Sequence, residues 1–316
     1  MWKTKLTELL SIDYPIIQGA MAYLSEANLV SAMCHAGATG VIATGGSDVD
    51  YVREQIRKVK DTTNKAFGVN LMLQSPNKDD IAQLVIDEKV PFVTIGAGNP
   101  VPYFEPLHAH GIKCIPVVPN VKLATRVQEK GADALVIEGM EAGGHDGKLT
   151  LMALMENVLP EIEIPVVAAG GIVDGRGIAA ALIMGASGVQ MGSRFLVSKE
   201  CILHPNAKEA ILKAVDTDST VTGFTKNDSV RGLKNKWSEA FLAKEYAGAS
   251  KEELTALSRG TNYKGAIKGD TENGFVLVGM SLNRLTKIQP VQEIIDELVS
   301  ETEERLALGT YLLKDK

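Results

Sequence analysis

Apolar, β-rich runs recur at a steady interval through the first two-thirds of the chain. They span Pro15–Met21, Gly40–Thr44, Phe67–Leu73, Phe92–Gly96, Lys113–Val118, Ala134–Ile137, Pro165–Ala169 and Gly188–Met191. Each is nearly all apolar rather than alternating, which predicts strands covered on both faces. The segments between them carry apolar residues at helical spacing. Leu29, Ala32, Met33 and Ala36 fall at i, i+3, i+4 and i+7, and Ile178, Ala181 and Leu182 repeat the pattern. A strand-to-strand interval of about 20 to 30 residues is one βα unit with short loops. Eight such units predict an α/β chain whose parallel sheet closes as a (β/α)8 TIM barrel, with a doubly wound open sheet as the alternative.

After Phe195 the rhythm stops. His204-Pro205 opens a predicted helix through Ala214, a polar stretch covers Thr217–Asp228, and helical patches follow near Lys236–Tyr246 and Lys251–Leu257. A glycine-bearing segment, Gly260 to Gly279, precedes an amphipathic helix in which Val291, Ile294, Ile295 and Leu298 share a face. The expected division is a barrel over 1–200, a smaller helical accessory unit over the barrel mouth at 201–285, and a C-terminal helix at 286–316 packing back on the barrel.

Apolar residues make up 45% of the 316, enough for a large core. Lys plus Arg total 33 against Asp plus Glu 39, a net charge of −6 that argues against a duplex-nucleic-acid binder. No apolar run approaches the roughly 18 residues of a membrane helix. Cys34, Cys114 and Cys201 lie far apart with no CxxC pair, a poor basis for a disulfide framework, a zinc site or an iron–sulfur site. A cytoplasmic protein is expected.

Function in such a barrel sits on the loops at the C-terminal ends of the strands. The loop after the sixth strand reads Glu138-Gly139-Met140-Glu141-Ala142-Gly143-Gly144-His145-Asp146-Gly147-Lys148. Its glycines allow close approach to a ligand, and His145 can exchange protons near neutral pH. A glycine-rich turn with a solvated His is the plain alternative. The loops after strands seven and eight, where barrels often bind phosphate, read Ala168-Ala169-Gly170-Gly171-Ile172 and Met191-Gly192-Ser193-Arg194-Phe195. Both offer backbone N–H groups for an anion, the first running into a helix near Asp174; Ser193 and Arg194 add a hydroxyl and a charge. Gln18-Gly19-Ala20-Met21 and Asn70 face the same mouth. No Cys occupies the sixth loop, which argues against barrels that use a thiol nucleophile there.

The runs YPIIQGAMA, FGVNLML, IGAGNP, IPVVPNV, EGMEAGGHDGKLT, IPVVAAGGIVDGRG, GASGVQMGSRF and HPNAKEAILKA together resemble the flavin-dependent enoyl-acyl-carrier-protein reductases of the FabK type, which belong with the nitronate monooxygenases. The match runs in order over about residues 5 to 240. GGHDGKLT and HPNAKEAILKA lean towards the reductases. The resemblance implies FMN as cofactor, with its phosphate at Gly170, Gly171, Gly192 and Ser193. Its ring would lie near Gly19, Ala20, Met21, Asn70, Glu138 and His145, with Gly143, Gly144, Ala169 and Met191 also in the cofactor site. It further implies NADH or NADPH as electron donor, an enoyl thioester as substrate, and His145 as the active-site residue. The expected partners are an acyl carrier protein bearing the substrate, the small-molecule nicotinamide donor and a second copy of the chain in a homodimer; neither nucleic acid nor a membrane is expected. Nitronate oxidation by O2 in the same pocket is the rival reading, and a non-catalytic flavin- or phosphate-binding barrel is a third.

The chain departs from the reductase pattern where those enzymes read GGM and it has Gly19-Ala20-Met21, where they have a glycine-rich segment ending in Asn and it has Ala43-Thr44-Gly45-Gly46, and where they read AGQ and it has Val278-Gly279-Met280. An extra methyl at Ala20 crowds the flavin, and Met280 lacks an amide. Glu141 and Asp146 flank His145 and read either as residues that tune it or as a solvated pair. His35, His108, His110 and His204 read as structural, and Met140 and Met191 as core or an apolar slot. Lys226, Arg231, Lys234 and Lys236 form a small basic cluster, read as a solvated helix face or a docking patch for an acidic carrier or cofactor phosphates.

Overall fold

A computed structural model describes residues 2–311. Eight parallel strands close into a barrel: β1 (Ile16–Gln18), β2 (Thr39–Ile42), β3 (Gly68–Met72), β4 (Phe92–Gly96), β5 (Lys113–Val118), β6 (Leu135–Glu138), β8 (Val166–Ala169) and β9 (Gly188–Met191), with β9 pairing back on β1. The open-sheet alternative is excluded by that closure. Register runs Ile17↔Thr39, Val69↔Val93, Val136↔Val167 and Ile17↔Gln190.

Alternate residues along each strand serve two cores. Ile17, Val41, Phe92, Ile115, Val136 and Val167 fill the barrel interior, while Ile16, Ile42, Val93, Leu135 and Val166 pack outward against the helices. The N-terminal helix Lys5–Leu10 stoppers the bottom by pushing Leu6 and Leu10 into the interior set. Room comes from glycine: a Cβ on Gly68 would lie 2.4 Å from the Phe92 ring, and one on Gly188 2.4 Å from Leu6. With its lower end packed, the barrel is open only where the strands end.

The C-terminal helix Val291–Tyr311 lies against the helix Gly175–Met184. Val291, Ile294, Ile295 and Leu298 are buried, Glu301 accepts from Gly175 N at 2.9 Å, and Thr302 Oγ1 donates to Gly175 O. Residues 312–316 of the expected C-terminal segment lie outside the described residues.

The accessory segment holds strands as well as the expected helices. It holds helices at Pro205–Lys213, Lys236–Tyr246, Lys251–Ser258 and Thr261–Ala266, but also strands β10 (Ser219–Thr222) and β11 (Val230–Leu233). These form an antiparallel hairpin whose inner strand pairs with β7 (Gly144–His145) in the loop after β6, with Val230 opposite His145 and Arg231 opposite Gly144. The stretch expected to be polar loop is thus partly a strand. The far edge of β11 is satisfied by backbone some 85 residues earlier, a pairing invisible to local patterning.

Candidate active site

A cavity of about 550 Å³ opens at the C-terminal ends of the strands, within the size range of small-molecule sites. Gly19, Ala20, Met21, Asn70, Glu138, Gly143, Gly144, His145, Ala169, Gly170, Gly171, Met191, Gly192 and Ser193 all line it. The barrel brings these fourteen residues, spread over 175 positions of sequence, to one wall.

The floor near β1 is fixed by buried polar contacts. Gln18 Nε2 donates to Ser25 Oγ at 2.8 Å and to Gly19 O, and Ser25 Oγ accepts from Met21 N at 2.8 Å. Asn70 Nδ2 donates to Thr94 O and Oγ1, which leaves its Oδ1 as the acceptor presented to the cavity.

At the opposite side, Gly170 (φ +104°) and Gly171 (φ +70°) make a turn that a side chain would strain, and a Cβ on Gly170 would lie 2.9 Å from Gly139 O. Their N–H groups have no protein acceptor among the described residues. A Cβ on Gly192, in contrast, would meet nothing nearer than Met21 Sδ at 3.8 Å. Packing does not demand that glycine; the space it leaves belongs to the cavity. Two expectations fail here. Arg194 turns away: its Nη2 donates to Gln289 Oε1 at 2.7 Å and pairs with Glu297 at 3.4 Å, beneath the C-terminal helix. The helix start at Gly175 is also occupied, its N–H groups taken by Glu301 and by the Asp174 cap on Gly177. Among the described residues the cavity wall carries no Lys or Arg. An anion here would rest on backbone N–H alone.

A strap missed in the sequence closes this side. Gly279 N donates to Ser193 Oγ at 2.9 Å, Met280 N to Glu141 O at 3.0 Å, and Ser281 Oγ to Gly171 O at 2.6 Å. Segment 276–281 therefore ties together the loops after β6, β8 and β9. It must run without side chains at the crossing: a Cβ on Gly143 would lie 2.6 Å from the Val278 backbone, and one on Gly279 2.6 Å from Glu141 O. Met280 is itself 40% exposed and does not line the cavity, so its lack of an amide leaves the wall unchanged.

His145 stands on the rim, its side chain 54% exposed. The carboxylate that approaches it is Asp228 of the hairpin, Oδ1 at 3.9 Å from Nε2, which sequence proximity did not suggest. The two flanking acids do other work. Glu141 accepts from Leu151 N through both oxygens at 2.9 Å, capping the helix Leu151–Val158. Asp146, its side chain 2% exposed, faces Arg231 Nη2 at 3.7 Å. Arg231 is the member of the basic cluster that does not belong on a solvated face. It is buried on β11, and its Nε donates to Met140 O at 3.0 Å and its Nη1 to Ser219 Oγ at 3.2 Å. Strand pairing and this guanidinium hold the His145 loop.

One carboxyl in the wall is exceptional. Burial, reinforced by the nearby Asp146 charge, pushes Glu138 up to about 7. Asp146 is also raised by burial, against the pull of Arg231, and its Oδ1 is buried without a partner among the described residues. The cavity wall therefore holds a carboxyl that changes charge near neutrality.

Away from the cavity, all three cysteines are buried and free. Cys114 joins His108 and Asp133 in a group whose ligand-type atoms lie within 4.8 Å, but Asp133 Oδ2 already accepts from Cys114 N and bonds His108 Nε2. His35 bonds Thr62 O, and His204 Nδ1 caps its helix by accepting from Asn206 N.

The chain matches the nitronate monooxygenase family over residues 3–86 and 82–301. It belongs to that family. The solved structure of FabK from Thermotoga maritima is similar along its whole length, with 40% identity, 98% of this chain and 100% of that one covered, and a TM-score of 0.95. A Rhodococcus jostii protein, the (3aS,4S,5R,7aS)-5-hydroxy-7a-methyl-1-oxo-octahydro-1H-indene-4-carboxyl-CoA dehydrogenase, is 30% identical over 97% of this chain and 98% of its own. A Staphylococcus haemolyticus relative named "Probable nitronate monooxygenase" is 31% identical over 98% and 99%. Family membership makes the chain an FMN-dependent oxidoreductase, and the cavity fits that cofactor: its glycine turns leave anion-sized room faced by unpaired N–H groups. Among the described residues no helix is long and apolar enough to cross a membrane.

Proposed function

We propose that this nitronate monooxygenase family member reduces the 2,3 double bond of enoyl thioesters with NADH or NADPH, as a FabK-type enoyl-acyl-carrier-protein reductase of fatty-acid elongation. The observation that carries the reading is the full-length likeness to FabK at 40% identity, alongside a relative named for a CoA thioester. Bound FMN would supply a two-electron relay, taking hydride from the nicotinamide and giving hydride to the β-carbon. Gly170, Gly171, Gly192 and Ser193 would hold its phosphate, and Gly19, Ala20, Met21, Asn70 and Glu138 would surround its ring. His145, on the rim where substrate enters, either protonates the α-carbon or hydrogen-bonds the thioester carbonyl as enolate charge develops. The strap at 276–281 ties together the loops around the cavity, and the hairpin around Arg231 holds the backbone that carries that imidazole.

The staphylococcal relative's name favours a second reading, nitronate oxidation by O2 with His145 acting on the nitronate. Product analysis separates the two. Crotonyl pantetheine with FMN and NADH or NADPH should yield butyryl thioester in an amount equal to the nicotinamide oxidised. Consumption of a nitronate and O2 without nicotinamide, and no butyryl product, would establish the second reading instead.

A further inference from the structure

The basic cluster of the sequence is taken apart by the fold. Arg231 is buried under the His145 loop, Lys234 pairs with Glu239 at 3.8 Å, and Lys236 pairs with Glu272 at 2.6 Å. Lys226 alone has no ion pair among the described residues, and the fold gives it a companion that sequence order does not: Lys251. Both line a second cavity of about 450 Å³ between the barrel rim and the accessory unit.

That cavity is continuous with the first. His145, Ala22, Gly45, Met72, Asn262 and Leu277 line both, so it runs from the two lysines to the imidazole. Its walls combine two kinds of surface. Trp237, Phe275 and Tyr263 give apolar faces, whereas Thr255, Ser258 and Asn262 offer hydroxyl and amide groups. Lys226 is held in place, because the hairpin tip that carries it is pinned by the Glu245 carboxylate, which accepts from Gly223 N, Thr225 N and Thr225 Oγ1 at 2.8 to 2.9 Å. Lys251 opens a helix fixed by the Ser250–Glu253 capping box. The charged groups facing this passage are Lys226, Lys251, Asp228 and His145, with Glu252 beside the two lysines. In a chain of net charge −6, Lys226 and Lys251 give this passage two cations with no ion pair among the described residues, against the carboxylates of Asp228 and Glu252.

We infer that this passage binds the phosphopantetheine arm of the substrate, with its phosphate between Lys226 and Lys251 and its thioester at His145. The arm has a phosphate at one end, a gem-dimethyl group and then two amides in the middle and sulfur at the other end, and the passage presents two cations, apolar faces with hydroxyl and amide groups among them, and the catalytic rim. The arm is common to CoA and to carrier proteins. This assignment rests on the enoyl-thioester reading and names the substrate feature that the site selects.

The test compares crotonyl 4′-phosphopantetheine with crotonyl pantetheine, which differ only in the phosphate, on wild type and on Lys226→Ala/Lys251→Ala. The double variant should raise KM for the phosphorylated substrate about tenfold, the scale of one charge-assisted contact, with kcat unchanged and the pantetheine KM unmoved. Equal effects on both substrates, or none on either, overturn the assignment. A KM increase shared by crotonyl-CoA and carrier-bound crotonyl supports the arm; one confined to the carrier-bound form overturns it by moving the lysines to the carrier's own surface. Binding of 4′-phosphopantetheine, followed by calorimetry, needs no turnover. If no thioester is reduced but the arm binds wild type about tenfold more tightly than the variant, the site stands and the enoyl reading falls. If thioesters are reduced but the arm binds both proteins alike, the site falls.

Discussion

Replacing Glu138 by Gln tests the electrostatics of the cavity wall. The carboxyl is raised from 4.5 to about 7 by burial and by the Asp146 charge. Between those two values the folded chain binds more protons than the unfolded one, so this group's contribution lowers stability as pH rises through that window. The loss is complete above it. A shift of that size corresponds to about 3 kcal/mol, and water reaching the cavity reduces it, so about 1 to 3 kcal/mol is expected. Glutamine has the same shape and cannot ionise. Glu138→Gln should therefore lie within about 0.5 kcal/mol of wild type at about pH 4.5, where the carboxyl is protonated in the folded state and half protonated in the unfolded one, and exceed it by about 1 to 3 kcal/mol at about pH 8. The assay is urea unfolding at both pH values with free FMN held constant, read by circular dichroism. A stability difference that is the same at both pH values, or a variant less stable than wild type at the higher one, would refute the assigned charge behaviour.

Other perturbations separate the roles of the remaining parts. Arg231→Met strands the buried Asp146 and removes donors from Met140 O and Ser219, so thermal unfolding should report a loss of about 3 to 5 kcal/mol, against under about 0.5 for the exposed Lys236→Ala. Gly170→Ala puts a side chain at φ +104° and 2.9 Å from Gly139 O; strain of about 1 to 3 kcal/mol should show as a lower flavin-to-protein ratio on purification. His145→Ala should slow reoxidation of the flavin by an enoyl thioester by about 10² to 10⁴ while leaving flavin reduction by the nicotinamide within a few fold, measured as separate half-reactions. Equal slowing of both steps would place His145 in binding rather than proton chemistry.

Much of this architecture was legible because barrel strands are short, doubly buried and bounded by polar segments. Phe92–Gly96, Lys113–Val118 and Gly188–Met191 match the observed strands residue for residue. The cavity-lining glycines followed from counting strands. What was illegible depends on partners far away in the chain. β7 is two residues long and exists only because β11 lies beside it, and Ser219–Thr222 is too short and polar to signal a strand. Arg194 follows Ser193 directly, yet its side chain is captured by Gln289 and Glu297 nearly a hundred residues later. Arg231 read as one of four solvated cations because its acidic partner Asp146 arrives through tertiary contact. The strap at 276–281 was visible only as an altered motif; its role comes from three hydrogen bonds to three different loops.

Anaerobic stopped-flow on the FMN-loaded protein tests the proposed reaction most directly, following the long-wavelength flavin band. NADH or NADPH should bleach it, and crotonyl thioester should then restore it with oxygen absent. A flavin indifferent to nicotinamide, bleached by a nitronate and restored only in air, would contradict the reductase account.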